Sequence, residues 1–211
     1  VAVVSKRYGH DEVLSRIERK GLKLGLITTA HFKQSGDGVA LVGACRAELG
    51  GSEYLKTIHG LVSGEIPALD LAEELRVQQF VMRAIRSGWI RSAHDCSDGG
   101  LAVALFESCL GPDDQPCGLD ADLSGVALRP DALLFGESQS RIVISFDWEV
   151  REALMQAAEN ESVPLSVLGR VVDHGRFILR PHVNESFDEL RRSHCEALPH
   201  LMDEVRTAAV A

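Results

Sequence analysis

Two polar clusters in this 211-residue chain hold the residue types that bind or activate small molecules. The first lies in Ser92-Ala93-His94-Asp95-Cys96-Ser97-Asp98-Gly99-Gly100-Leu101-Ala102-Val103-Ala104-Leu105, a strand-like run that breaks on two glycines and resumes with helical composition. A helix that begins on glycines presents free backbone N–H groups and the positive end of its dipole, the ingredients of a phosphate or sulfate site. The same spacing lets Ser97 or Asp98 cap the helix by accepting from a first-turn N–H, and the Asp98 carboxylate then fills the place of an external anion. Both readings stand on these residues. Asp95 and Asp98 are spaced i to i+3 across the turn, where capping and turn hydrogen bonds account for them without a divalent cation, so no metal site is expected. His94, inside the strand, is expected to be a hydrogen-bonded core histidine rather than a general base.

The second cluster is Glu137-Ser138-Gln139-Ser140-Arg141. A carboxylate, a hydroxyl, an amide and a guanidinium within five positions supply the donors and acceptors that read a sugar or phosphate edge, although a surface turn has a similar composition. Two polar junctions in an otherwise apolar chain suggest that one face of the sheet carries a ligand or a domain interface. Signature motifs of nucleophilic, phosphate-loop, zinc-protease and dinucleotide sites are absent, so no catalytic residue is assigned.

The elements that position these clusters alternate between strand and helix. Asp11 to Lys20 reads as a short amphipathic helix, Leu24 to Thr29 as a strand, and Gly36-Asp37-Gly38 as a turn into the strand Val39 to Gly43. Glu48-Leu49-Gly50-Gly51-Ser52-Glu53-Tyr54 reads as the approach to a helix that Ser52 caps and Gly60 ends. The strongest helix starts with Pro67-Ala68-Leu69-Asp70 and runs through Ser87, with Leu71, Leu75, Met82 and Ile85 as its apolar stripe and Gly88 as its stop. Beyond the first cluster come a short strand Leu119 to Leu123, a short helix Asp131 to Phe135 closed by Gly136, and the strand Ile142 to Phe146. Trp148 to Asn160 is helical, Val163 to Val171 is a strand, Asp173-His174-Gly175 is a hairpin turn into Phe177-Ile178-Leu179, and one or two final helices are interrupted at Pro199. A tight hairpin among alternating elements predicts an α+β fold with a mixed sheet covered by helices on both faces.

Composition narrows the partners. At 45% apolar residues the chain is long enough to bury a sizeable core. A formal net charge of −9 and only 5% aromatic residues argue against nucleic acid. The apolar runs are too short for a membrane span and the first residues do not form a secretory leader, so a cytoplasmic location is expected. Five cysteines without a CxxC pair are expected to be reduced thiols.

Three segments in order, ELGGSEY at Glu48 to Tyr54, SAHDCSDGGLAVA at Ser92 to Ala104 and LFGESQSR at Leu134 to Arg141, resemble the phosphoribosylformylglycinamidine synthase family. The similarity runs from about Ile27 to Arg180. The wider superfamily includes aminoimidazole ribonucleotide synthetase, selenophosphate synthetase and a hydrogenase maturation protein. The resemblance implies a three-layer α-β-α domain like the C-terminal domain of aminoimidazole ribonucleotide synthetase, and a duplicated enzyme in which two ATP-binding-type halves pair around a central barrel, each followed by such a domain. This chain corresponds to the second of them.

By the same resemblance the whole enzyme uses ATP and magnesium to activate the formyl amide oxygen of formylglycinamide ribonucleotide, and ammonia from glutamine displaces the phosphate. Its partners are then the preceding ATP-binding-type domains of the same polypeptide, a glutaminase, a small accessory subunit or domain, and the nucleotide substrate. Because the family's principal ATP and magnesium ligands lie on the preceding domain, this chain alone is expected to be inactive. Residues 1–45 are expected to be the tail of that preceding domain and 46–211 the three-layer domain. Ser97, Asp98, Gly99, Gly100, Glu137, Ser138, Gln139 and Arg141 are the expected substrate or anion contacts, and Glu48, Gly50, Gly51, Ser52 and Glu53 the interdomain ones. The competing expectations are a scaffold or regulatory nucleotide-binding domain of the same superfamily, and a stand-alone small-molecule binding protein.

Overall fold

Strand β1, Gly38–Val42, is buried at every residue and lies in the interior of a seven-stranded sheet. A computed structural model describes residues 27–111 and 117–208. The other strands are β2 (Ile90–Asp95), β3 (Gly118–Asp122), β4 (Ile142–Phe146), β5 (Leu165–Val172), β6 (Arg176–Arg180) and β7 (Val183–Ser186), in the spatial order β2-β4-β1-β5-β3-β6-β7. All neighbours are antiparallel except β3 and β6. The helices are α1 (Glu53–His59), α2 (Leu71–Arg86), α3 (Gly100–Cys109), α4 (Pro130–Phe135), α5 (Arg151–Asn160) and α6 (Phe187–Ala208).

The period-two alternation of the strands divides the core into two layers. Val39 and Leu41 of β1 pack in one cluster with Leu101 and Leu105 of α3, Leu133 of α4 and Phe187 of α6. Ala40 and Val42 pack in the other with Val77, Phe80 and Val81 of α2 and Leu154 of α5. The mixed sheet with helices on both faces is thus the three-layer arrangement expected. Helix α3 is the most enclosed, with buried residues around most of its circumference, which is why its sequence is apolar with almost no polar face.

Several sequence expectations are corrected. Residues 38–42 form β1 between β4 and β5, so the sheet includes residues that precede position 46. The helix expected at Asp11 to Lys20 and most of the strand at Leu24 to Thr29 lie outside the described residues, and Thr29 contributes one bridge to Ser92. The turn Asp173-His174-Gly175 joins β5 to β6, but the two do not pair, because β3 is inserted between them. Strands two places apart in a sheet are about 10 Å apart, a gap that a three-residue link spans.

Helix α2 begins at Leu71, after Asp70, whose side chain caps it by accepting from the N–H groups of Ala72 and Glu73. Its buried stripe, however, is Val77, Phe80, Val81 and Ala84, while Leu71 and Leu75 stand in solvent at 73% and 54% exposure. Helix α6 runs through Pro199 without interruption. A proline removes one N–H from the ladder, and here the turns on either side maintain the helix.

Candidate functional site

The three motif segments meet at one carboxylate. Glu137 Oε1 accepts from the backbone N–H of Glu53, the first residue of α1, and from that of Gly99, at 2.9 Å each. Ser52 caps α1 by accepting from the Leu55 N–H at 3.3 Å, which turns the Glu53 N–H toward Glu137. Gly99 occupies the N-cap of α3 at φ +82°, and no side chain caps that helix. The expectation that Ser97 or Asp98 caps α3 is therefore corrected. A left-handed N-cap turns the preceding side chains outward: Ser97 and Asp98 are exposed, and the Ser97 hydroxyl donates to Asp95 Oδ2 instead.

Glycines let the backbones close around this point. A Cβ on Gly100 would lie 2.5 Å from the Gly136 carbonyl oxygen, and one on Gly136 would lie 2.9 Å from that of Glu48. Ser140 takes φ +61°, a conformation that ordinary residues rarely adopt, between Gln139 and Arg141. Tyr54 of α1 stacks on Phe135 of α4 with ring centroids 5.0 Å apart, which ties the first segment to the third through their apolar residues.

The side chains of the second cluster are divided between inside and outside. Arg141 is 3% exposed and points inward, where its guanidinium donates to the carbonyls of Gly136 and Ser138 and lies 3.8 Å from Cys45 Sγ. It holds the loop rather than facing solvent. Ser138 is fully buried and its Oγ has no hydrogen-bond partner. Gln139 is exposed, with only a 3.4 Å contact to the Glu137 carbonyl. Of the residues expected to contact ligand, Ser97, Asp98 and Gln139 are thus outward-facing, while Arg141 and Ser138 are internal.

The expected interdomain residues are also engaged locally. Gly51 N–H donates to the Ser63 carbonyl at 3.0 Å, Glu48 Oε1 accepts from Ala68 N–H at 3.2 Å, and Gly50 lies so close to Glu65 that a Cβ would meet its carbonyl at 1.8 Å. Residues 48–52 and 63–68 therefore form one packed loop pair.

Charge around the junction is predominantly acidic. Glu53, Asp95, Asp98 and Glu137 are opposed on this surface by Lys56, which bridges to Glu53 at 2.8 Å and whose pKa is raised by that carboxylate. A bare phosphate would be repelled here, whereas a ligand that brings N–H or O–H donors finds acceptors. Among the described residues no three histidine, cysteine, aspartate or glutamate side chains gather to hold a metal ion.

His94 is a core-edge residue, as expected: its Nε2 is 3.1 Å from Glu107 Oε2 and its Nδ1 2.8 Å from the Asp95 carbonyl. Burial works to lower its pKa, but the hydrogen bonds the ring donates to the Glu107 carboxylate and the Asp95 carbonyl outweigh it and hold the imidazole above its usual value. The residue that sequence reasoning placed least well is Glu137. Its acceptors were visible in the sequence, but its partners lie 84 and 38 positions away, and local spacing carries no signal for them.

The fold and junction define a class. Residues 34–182 match the model of the AIR synthase related protein C-terminal domain, and the chain belongs to that family. Within it, the chain is 43% identical over 195 residues to the phosphoribosylformylglycinamidine synthase subunit PurL of Symbiobacterium thermophilum, covering 85% of this chain and 25% of that protein. It is 44% identical over 175 residues to the PurL subunit of Moorella thermoacetica, covering 81% and 23%. The chain thus spans about a quarter of the length of the curated relatives it matches. Among solved structures, Thermotoga maritima PurL complexed with FGAR superposes with a TM-score of 0.65 at 18% identity, covering 78% of this chain and 29% of that one. Escherichia coli HypE, a hydrogenase maturation protein, superposes with a TM-score of 0.50 at 18% identity over 78% and 52%. At these identities the superpositions establish the fold alone.

Proposed function

We propose that this chain is the C-terminal three-layer domain of a phosphoribosylformylglycinamidine synthase, working as one part of an ATP-dependent C–N ligase of purine biosynthesis. The observation that supports this most directly is the Glu137 junction, which brings together the three segments that carry the resemblance to the synthase family. In this reading the preceding domains supply ATP and magnesium, a glutaminase and a small accessory subunit supply ammonia, and the junction forms one wall of a nucleotide cleft. Ser97, Asp98 and Gln139 are the side chains of that wall that reach a ligand, through a hydroxyl, a carboxylate and an amide. A cytoplasmic location belongs to the same reading. No helix among the described residues is long and apolar enough to cross a membrane.

The partner surface in this proposal is the segment from Ile58 to Leu75. Ile58, Leu61, Val62, Ile66, Leu69, Leu71 and Leu75 are all at least half exposed, an apolar concentration that a preceding domain of the same polypeptide would cover. The apolar stripe read on α2 then has a role, with Leu71 and Leu75 as contact residues rather than core.

The test is complementation. The chain is assayed with formylglycinamide ribonucleotide, ATP and ammonia, alone and with the preceding domains of a PurL subunit. Silence alone and turnover on mixing support the proposal; turnover by the chain alone overturns it. One observation favours a second reading, that the junction is only a scaffold: Glu137 already occupies the Gly99 N–H that an external anion would use. In the complemented enzyme, Gln139→Ala distinguishes the two, raising KM if the wall contacts ligand and leaving KM unchanged if it is scaffold.

A further inference from the structure

Cys109 ends α3 and is fully buried, while Cys117 stands immediately before β3 and is half-buried. The Cys117 N–H donates to the Cys109 carbonyl at 3.2 Å, and the Cys117 thiol lies 3.8 Å from the same oxygen. A disulfide needs Cα atoms about 4.4–6.8 Å apart, so its two residues must be close backbone neighbours of this kind. The Cys117 side chain thus packs directly against the end of α3. Hydrogen bonding with Cys109 lowers the Cys117 pKa, whereas burial pushes the Cys109 thiol well above its usual value. The two sulfurs are therefore chemically unequal: one is reachable and more acidic, the other enclosed and protonated.

We propose that Cys109 and Cys117 are a redox pair that a small-molecule disulfide of the glutathione type converts to an intrachain disulfide bond. Cys117 is the attacking residue. Its thiolate forms a bond to one sulfur of oxidised glutathione, the glutathione S–S bond breaks, and the departing thiolate takes up a proton. Cys109 then attacks the Cys117 sulfur of the mixed disulfide, loses its proton to solvent, and expels the second glutathione thiol. Two protein thiols are oxidised to one disulfide and one glutathione disulfide is reduced to two thiols. The product would pin the C-terminal end of α3, whose N-terminal end forms the Glu137 junction, to the start of the adjoining strand. This proposal does not rest on the synthase reading.

The experiment is peptide mapping of the chain after incubation with oxidised glutathione, quenching with an alkylating agent and digestion. The expected result is a peptide pair joined through Cys109 and Cys117 that dithiothreitol separates, with Cys45 and Cys96 alkylated after denaturation. The Cys109→Ser variant should stop at one glutathione on Cys117, and in Cys117→Ser Cys109 should stay reduced. Recovery of both thiols as alkylated peptides at excess oxidant overturns the proposal, as does a wild-type chain that stops at the mixed disulfide. Because the wild-type map is decisive by itself, a variant that fails to fold does not remove the test.

Discussion

Glu137 and Gly99 are joined across 38 positions of chain by a 2.9 Å hydrogen bond from the Gly99 N–H to the Glu137 carboxylate, and the same oxygen holds Glu53. An internal carboxylate is thus the counter-charge at the start of α3, a place where helix geometry favours an anion. Replacing Glu137 with alanine leaves two part-buried N–H groups without an acceptor and should cost about 2–4 kcal/mol. Glu137→Gln keeps an acceptor without the charge and should cost about 1 kcal/mol. Urea unfolding measures both; a Glu137→Ala chain as stable as wild type would mean that the carboxylate does not hold the three segments together.

Asp98→Ala gives the opposite expectation. As an exposed side chain that caps nothing, Asp98 should change stability by less than about 0.5 kcal/mol. A loss near that of a helix cap, about 1 kcal/mol, would mean that its carboxylate reaches a first-turn N–H after all.

Gly100 tolerates no side chain. Its φ is +70° and the Gly136 carbonyl oxygen lies 2.5 Å from where a Cβ would stand. Gly100→Ala should therefore cost more than about 2 kcal/mol, and Gly100→Val more again. Thermal melts of the two variants check this, and a chain carrying alanine with an unchanged Tm would contradict the packing of Gly100 on Gly136. Ligand effects of Gly100 variants are for the same reason inseparable from unfolding, which makes exposed Gln139 the better probe.

Thiol reactivity should follow burial. Burial pushes the Cys96 thiol up to about 12, so at pH 8 it holds almost no thiolate, whereas Cys195 stands exposed on α6. Native alkylation followed by mass spectrometry should label Cys195 first and Cys96 among the last. Equal rates at the two would place Cys96 at the surface.

The pH dependence of stability contains a contribution from His94. Its pKa in the folded chain lies above the 6.5 of an ordinary histidine, so protonated His94 adds stability that is fully present below that value and is lost as pH rises through the folded pKa. Unfolding of His94→Gln compared with wild type from pH 5.5 upward should show a flatter profile for the variant. Parallel profiles would mean that His94 and Glu107 do not form their ion pair.

What could be read from the sequence was what neighbouring residues decide. Ser52 caps α1, Gly60 ends it in a left-handed turn, and Ile142 to Phe146 is a strand, because each depends on partners within a few positions. The order of the three motif segments was also visible, although not that a single carboxylate joins them. The errors arose where distant chain decides. Local periodicity favoured Leu71 and Leu75 because leucines at helical spacing look like core, but the sheet lies under Val77, Phe80 and Val81. For Arg141 the sequence shows an arginine beside a carboxylate, which suits phosphate, and carries no sign that the carbonyls of Gly136 and Ser138 hold the guanidinium inside. A hairpin between β5 and β6 was the natural reading of Asp173-His174-Gly175, and only the placement of β3 excludes it.

The position of β1 bears on how the chain folds during synthesis. Gly38 pairs on one side with Phe146 and on the other with Arg170, so β1 leaves the ribosome long before the strands it pairs with are made. Loop closure over such distances is slow, and until it happens the unpaired backbone edges of β1 are open to other strands. Nascent chains halted before β4 should therefore be sensitive to protease and dependent on chaperones, and protection should appear only after β5 has emerged.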